Sequence, residues 1–170
     1  MRGLRSDVLV RPMTREDAER VARWRYRGAW SVYDLPSAEP ILDALTDHHA
    51  VVAADTLIGF CCTGDAARVP GLAVEPHMLD VGLGMDPSLV GRGQGTAFGW
   101  AVVRHLALRH PGRSMRAAVQ SWNQRSLRLT QRLGFADEGV LTAGQGGRPV
   151  SYRILVRPAD LSGGTPTDLQ

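Results

Sequence analysis

Apolar and polar positions along the chain change period repeatedly, and each change predicts an element. Val8 to Arg11 reads as a first strand. Thr14 then presents an N-cap hydroxyl, with Glu16 and Asp17 in the first turn at the positive end of the dipole. Ala18, Val21, Ala22 and Arg25 follow at helical spacing, and this helix should end between Trp24 and Gly28. The aromatic stretch Trp30 to Pro36 is punctuated like a loop. Ser37 is placed to cap a second helix carrying Ile41, Leu42 and Leu45, with Pro40 tolerated in its first turn. Ala50–Ala54 and Leu57–Cys62 predict a hairpin around Asp55-Thr56. Residues 63–77 form a long loop, and Leu79–Met85 a further strand.

The second half alternates more regularly. Thr96–His110 repeats Phe98, Val102 and Leu106 on one face, and Pro111-Gly112 stops it. Met115–Gln120 is a strand. Asn123–Leu133 is a helix with Leu127 and Leu133 inward and Gly134 at its C-terminal cap. Phe135–Leu141 and Ser151–Val156 close the chain around a Gly-rich loop. The order β-α-α-β-β-β-α-β-α-β-β predicts an α/β sheet with helices on both faces. One domain over residues 1–160 is expected, with 161–170 a polar, frayed tail.

Composition narrows the chemistry. All 20 residues counted as Lys or Arg are Arg, which excludes a Schiff-base lysine and a P-loop lysine. A net charge of +3 permits acidic ligands, and the arginines are spread along the chain apart from Arg20, Arg23, Arg25 and Arg27. Those four fit the exposed side of a helix, so no nucleic-acid partner is expected. No apolar run approaches the roughly 20 residues of a membrane helix, and the N-terminus has no secretion-signal pattern. Cys61 and Cys62 are adjacent, so on a strand they point to opposite faces as reduced core thiols of a cytoplasmic protein. The scattered His48, His49, His77, His105 and His110 show no metal-ligand spacing.

The strongest chemical signal is the turn Gly91-Arg92-Gly93-Gln94-Gly95 between a strand and a helix. Such glycines let main-chain N–H groups approach an anion, and the helix adds its positive dipole end. A tight turn without a ligand is the alternative. The spacing is not Gly-x-Gly-x-x-Gly, and the next strand ends Ala118-Val119-Gln120 without an acidic residue for a ribose, which argues against a dinucleotide. A triphosphate loop would need Gly-Lys-Ser/Thr.

Val90-Gly91-Arg92-Gly93-Gln94-Gly95 resembles the Gln/Arg-x-x-Gly-x-Gly/Ala signature of the GNAT superfamily of N-acetyltransferases, with Val90 in place of Gln or Arg. Asn123 followed by a helix and Leu133-Gly134-Phe135 matches a second feature of that family. The resemblance runs from about Val8 to Val156. It implies a mixed, mostly antiparallel central sheet with splayed middle strands, and acetyl-CoA as cosubstrate. The pyrophosphate would sit on main-chain N–H groups of Val90, Gly91, Arg92, Gly93, Gln94, Gly95 and Thr96. The main chain of Leu83, Gly84 and Met85 would pair with the pantetheine arm like an added strand, and Asn123 would bond it as well. Arg92, Arg125, Arg128 and Arg132 are candidates for the outer phosphates.

By that resemblance the chain transfers an acetyl group to a primary amine by direct attack on the thioester. The acceptor is expected to be a small molecule rather than a protein amine, and the chain a monomer or homodimer. Many members carry a Tyr seven residues after the Asn as acid for the thiolate; here that position is Thr130. Tyr33 and Tyr152 are substitutes. Asp80, flanked by apolar Leu79 and Val81, is the candidate base or amine anchor, with Glu75 and His77 behind it. Trp30, Tyr33, Asp34 and the loop 64–71 would form the acceptor wall. A CoA-binding regulatory module that has lost catalysis is the alternative that Thr130 raises.

Overall fold

The computed structural model describes residues 7–160, so the expected tail at 161–170 lies outside the described residues. Among these residues seven strands form one sheet: β1 (Val8–Pro12), β2 (His48–Ala53), β3 (Thr56–Thr63), β4 (Met78–Met85), β5 (Ser114–Gln120), β6 (Ala136–Gln145) and β7 (Arg148–Arg157). Their spatial order is β1-β2-β3-β4-β5-β7-β6. Every neighbouring pair is antiparallel except β4 and β5. Among the described residues four α-helices accompany them: α1 (Arg15–Ala22), α2 (Glu39–Leu42), α3 (Gly95–Arg109) and α4 (Gln124–Arg132). Among the described residues no helix is long and apolar enough to cross a membrane.

Two apolar clusters sit on opposite sides of the sheet. Phe98, Val102 and Leu106 of α3 pack with Leu133 on Val51, Cys61, Leu79, Val81 and Leu155. Ala18 and Val21 of α1 pack with Ile41 of α2 on Ala50, Val52 and Leu57. Strand alternation explains the split, since successive side chains of β2 and β3 serve different faces. Cys61 and Cys62 accordingly lie on different faces as free, buried thiols, and burial pushes both up to about 12.

Local signals were mostly right about elements and wrong about their ends. Thr14 caps α1 in a capping box, its hydroxyl accepting from the Asp17 N–H while the Asp17 carboxylate accepts from the Thr14 N–H. The helix stops at Ala22, so Arg25 lies beyond it. The expected loop at 30–36 begins as a 3₁₀ helix, Gly28–Tyr33. The helix expected through Leu45 is a single turn at Glu39–Leu42, with a second 3₁₀ turn at Leu45–Asp47. The first hairpin turns at Ala54-Asp55, both in the left-handed region, one residue earlier than expected. The closing hairpin is longer than expected because β6 and β7 continue to a two-residue turn at Gly146-Gly147.

One half-buried pair on the α3 side sets a pH limit. The rings of His49 on β2 and His105 on α3 are 5.2 Å apart, and His49 Nδ1 and His105 Nε2 have no hydrogen-bond partner among the described residues. Burial, then the positive charge of Arg109, pulls His49 below its ordinary value; burial, then His49 itself, does so for His105. The unfolded chain therefore takes up protons that the folded one refuses. Stability should be fully present above about pH 6.5 and decline as pH falls below it. Thermal melts between about pH 7.5 and 5 check this, and the decline should flatten when both are replaced (His49→Gln with His105→Gln).

Candidate functional site

The site is made by a failure of pairing. β4 and β5 run parallel and pair only over Met78–Asp80 and Ser114–Arg116. Beyond that point β4 stays on β3 as far as Met85, while β5 stays on β7 as far as Gln120. The two strands splay, and a cavity of about 480 Å³ passes between them. Leu83, Gly84 and Met85 line one wall, Ala117, Ala118 and Val119 the other, with Phe98 and Leu129 of α3 and α4 beside them.

The unpaired edge of β4 carries usable main-chain groups. The Asp86 N–H donates to the Ile58 carbonyl across β3 at 2.9 Å. Antiparallel pairing alternates, so Gly82 and Gly84 also address β3, while Leu83 and Met85 turn their N–H and C=O into the gap. The Met85 carbonyl already accepts from the Tyr26 hydroxyl at 2.7 Å. Gly84 has a packing reason as well: a Cβ there would come within 2.2 Å of the Phe60 ring, so this position brings aromatic carbon against the strand.

The glycine turn closes one end of the cleft. Gly91 and Gly93 have φ of +79° and +78°, a conformation other residues adopt only at a cost. Space is not the constraint, because a Cβ at either position would meet nothing within 4 Å. α3 starts at Gly95. Its N-cap Gln94 makes no side-chain capping bond, and its first turn holds no acidic side chain. The N–H groups of a helix's first turn have no intrahelical acceptor, and here no side chain takes their place. A 15-residue helix therefore presents an uncapped, positively polarised end to the cleft through Gly93, Gly95 and Thr96. Of the expected cofactor residues, Leu83, Gly84, Met85, Val90, Gly91, Gly93, Gly95, Thr96 and Asn123 all line the cavity. The exposed Arg92 and Gln94 do not line it. Of the candidate phosphate arginines, Arg125 and Arg132 line it and Arg92 and Arg128 do not.

Asn123 is buried, and both ends of its side-chain amide are engaged. Its Oδ1 accepts from the Ser126 N–H at 3.2 Å, capping α4, and from the Trp30 indole at 3.4 Å. Its Nδ2 donates to the Tyr33 hydroxyl at 3.0 Å. It thus ties α4 to the aromatic segment 24–35. Tyr33 lines the cleft, and its own hydroxyl proton makes no hydrogen bond among the described residues. Burial raises the Tyr33 phenol above its usual range, against the opposing pull of the Asn123 donor, so the proton is held at neutral pH.

The other expected candidates fall away for physical reasons. Asp80, expected as base or amine anchor, does not line the cavity. Its Oδ1 accepts from Arg116 Nε at 2.7 Å, and its Oδ2 from Arg68 Nε at 2.9 Å and Arg116 Nη2 at 3.1 Å. Asp80 and Arg116 are each 4% exposed and form the last register pair before the strands part. Both carboxylate oxygens are thus committed to holding the vertex of the splay. Glu75 is paired with Arg116 at 3.3 Å, and neither it nor His77 reaches the cleft. Thr130 bonds back to the Ser126 and Leu127 carbonyls of its own helix, so it has no proton to offer. Tyr152 donates to Gln145 at 2.6 Å, away from the cavity. Asp34 accepts from the Tyr26 N–H at 2.8 Å and shapes the loop, while 64–71 supports Asp80 through Arg68 instead of lining the cleft.

Sequence reasoning missed Trp24, Tyr26, Leu35 and Phe60, which line the cavity beside Trp30 and Tyr33. The signal was the density of aromatics at 24–33. Arg20, Arg23, Arg25 and Arg27 are exposed while the interleaved Trp24 and Tyr26 turn inward, so this stretch is a cavity wall.

No curated protein matches the chain. Among solved structures, a GNAT-family acetyltransferase from Bacillus anthracis superposes with a TM-score of 0.72 at 14% identity, over 91% of this chain and 96% of the other. A spermidine N-acetyltransferase chimera of Vibrio cholerae and hSSAT gives 0.68 at 14% identity, over 91% and 96%. AAC(6')-Ib in complex with paromomycin and acetyl-CoA gives 0.68 at 20% identity, over 96% and 99%. At these identities the likeness is one of fold. The sequence profile of the Acetyltransferase (GNAT) domain matches residues 7–136, which span the vertex, the open edge of β4, the glycine turn and the Asn123 cap. The chain therefore belongs to the GNAT family of acetyltransferases.

Proposed function

We propose that this protein transfers the acetyl group of acetyl-CoA, the family's cosubstrate, to a primary amine, and that a small molecule is the acceptor. One observation carries the reading: a single cleft brings together an open strand edge, an uncapped helix end and a phenol whose proton is free. The residues fit the cosubstrate. Its diphosphate suits the N–H groups at Gly93 to Thr96, and its amide-bearing arm suits the Leu83 and Met85 edge by strand addition. Acetyl-CoA supplies an acyl group on a thioester; the amine nitrogen bonds to the acyl carbon, the C–S bond breaks, and the sulfur takes a proton.

The chain's own contribution is positioning and proton transfer. The gap-facing N–H groups of β4 are donors for the oxygen that becomes negative. Tyr33, held by Asn123, gives its proton to the departing sulfur, and the proton shed by the amine restores the phenol through solvent. No carboxylate lines the cleft among the described residues, so the amine reaches it already neutral. Calorimetry with acetyl-CoA and a thiol-release assay over an amine panel test the whole reading. Absence of binding to the folded protein would overturn it. Binding without transfer to any amine would leave the regulatory module instead.

Tyr33→Phe should lower kcat by about 10²-fold, the lower end for general acids because a thiolate already leaves readily. KM for acetyl-CoA should be nearly unchanged. The native pH–rate profile should rise with amine deprotonation and lack a falling limb below about pH 10, since burial keeps the phenol protonated. Steady-state kinetics of both proteins across pH check this.

A further inference from the structure

The acceptor half of the cleft has its own chemistry. Its walls are Trp24, Tyr26, Trp30, Tyr33, Leu35 and Phe60. The rings are packed against one another: Trp24 lies 6.2 Å from Phe60, and Tyr26 stands edge-on to Tyr33 at 6.3 Å. Among the described residues the only charged side chains on the whole lining are Arg125 and Arg132, both cationic. Arg125 lies 4.6 Å from the centre of the Trp30 ring. The carboxylates facing this region from neighbouring elements are Asp34 and Asp86. Each is used locally, Asp34 by the Tyr26 N–H and Asp86 by Ser88, and neither reaches the lining.

Such a cleft disfavours a substrate with several positive charges. A polyamine or aminosugar would surrender its hydration and find no carboxylate on the lining to pair with. A flat apolar body gains from the same surface, by area and by ring-on-ring contact. We infer that the acceptor is an amine carried on an aromatic or comparably flat apolar body, with no second cationic group. This rests on the acetyltransferase reading above and narrows it to a substrate class. It also separates this chain from the proteins of the same fold described with spermidine and with paromomycin.

The test compares phenethylamine and tryptamine with spermidine and paromomycin in a thiol-release assay. The aromatic amines should have kcat/KM higher by about 10- to 100-fold. Tryptophan fluorescence titrations of the CoA-bound protein with the same four amines should give the same order of affinity without requiring turnover. Trp24→Ala should remove most of the aromatic preference, and Leu35→Glu, which adds the missing carboxylate, should shift the ratio toward spermidine. Equal or tighter handling of spermidine or paromomycin in both assays would overturn the acceptor class, as would failure of the aromatic amines to bind. Acetyl-CoA calorimetry separates the two levels. No heat from acetyl-CoA defeats the transferase reading and this one together, whereas normal heat with the reversed amine order defeats only the acceptor class.

Discussion

Asp80→Ala should cost about 3–5 kcal/mol of folding stability, because it removes the buried carboxylate against which the buried Arg116 guanidinium is held. The reasoning is geometric. Three hydrogen bonds from Arg68 and Arg116 converge on the two Asp80 oxygens, and Asp80 and Arg116 are almost fully buried. At roughly 2–4 °C per kcal/mol for a chain of this size, Tm should fall by about 10 °C. Denaturant unfolding measures it directly. Asp80→Asn keeps the shape and one acceptor, and it should lie between the two. The base role expected from sequence makes the opposite forecast: lost turnover at unchanged stability. An Asp80→Asn protein as stable as the parent yet without activity would restore that role. The pair also has a positional consequence. It stands where β4 and β5 separate, so its loss removes the contact that defines where the cleft begins.

Gly93→Glu should weaken acetyl-CoA by about 10³-fold, read by calorimetry. Two charges 4 Å apart near a protein surface interact by about 4 kcal/mol, and the new carboxylate would stand at the proposed place of the diphosphate. Backbone strain acts alongside charge, since Gly93 has a φ of +78°. Gly93→Ala separates the two. A residue with a Cβ in this conformation costs about 1–2 kcal/mol, borne by the turn, and no atom within 4 Å obstructs the methyl group. Alanine should therefore weaken binding far less than glutamate. Equal losses in the two variants would assign the turn's role to conformation and remove the electrostatic argument.

How much was legible in the chain follows from these cases. Thr14, the hairpins, α3 with its Phe98–Val102–Leu106 face, and the glycine turn are local. Their signals are caps, periods and positive-φ residues, which act within a few residues of sequence. Element ends were less legible, because aromatics at 30–33 read as loop while i→i+3 contacts fold them into a 3₁₀ helix. Asp80 shows the limit more sharply. A carboxylate between Leu79 and Val81 is unusual in sequence for either of two reasons, catalysis or a buried ion pair. Only Arg116, 36 positions away, decides between them.

By itself, the sequence determined the order of elements, the glycine turn before a helix and the absence of an acid at Thr130, since each depends on residue type and short-range spacing. The tertiary structure decided which polar side chain keeps a free proton, where the sheet opens and what lines the opening. Those are set by contacts between distant segments: Asp80 with Arg116, Asn123 with Tyr33, Tyr26 with Met85. A side chain's chemistry depends on whether its hydrogen-bonding capacity has been consumed, and that is known only once the chain has closed on itself.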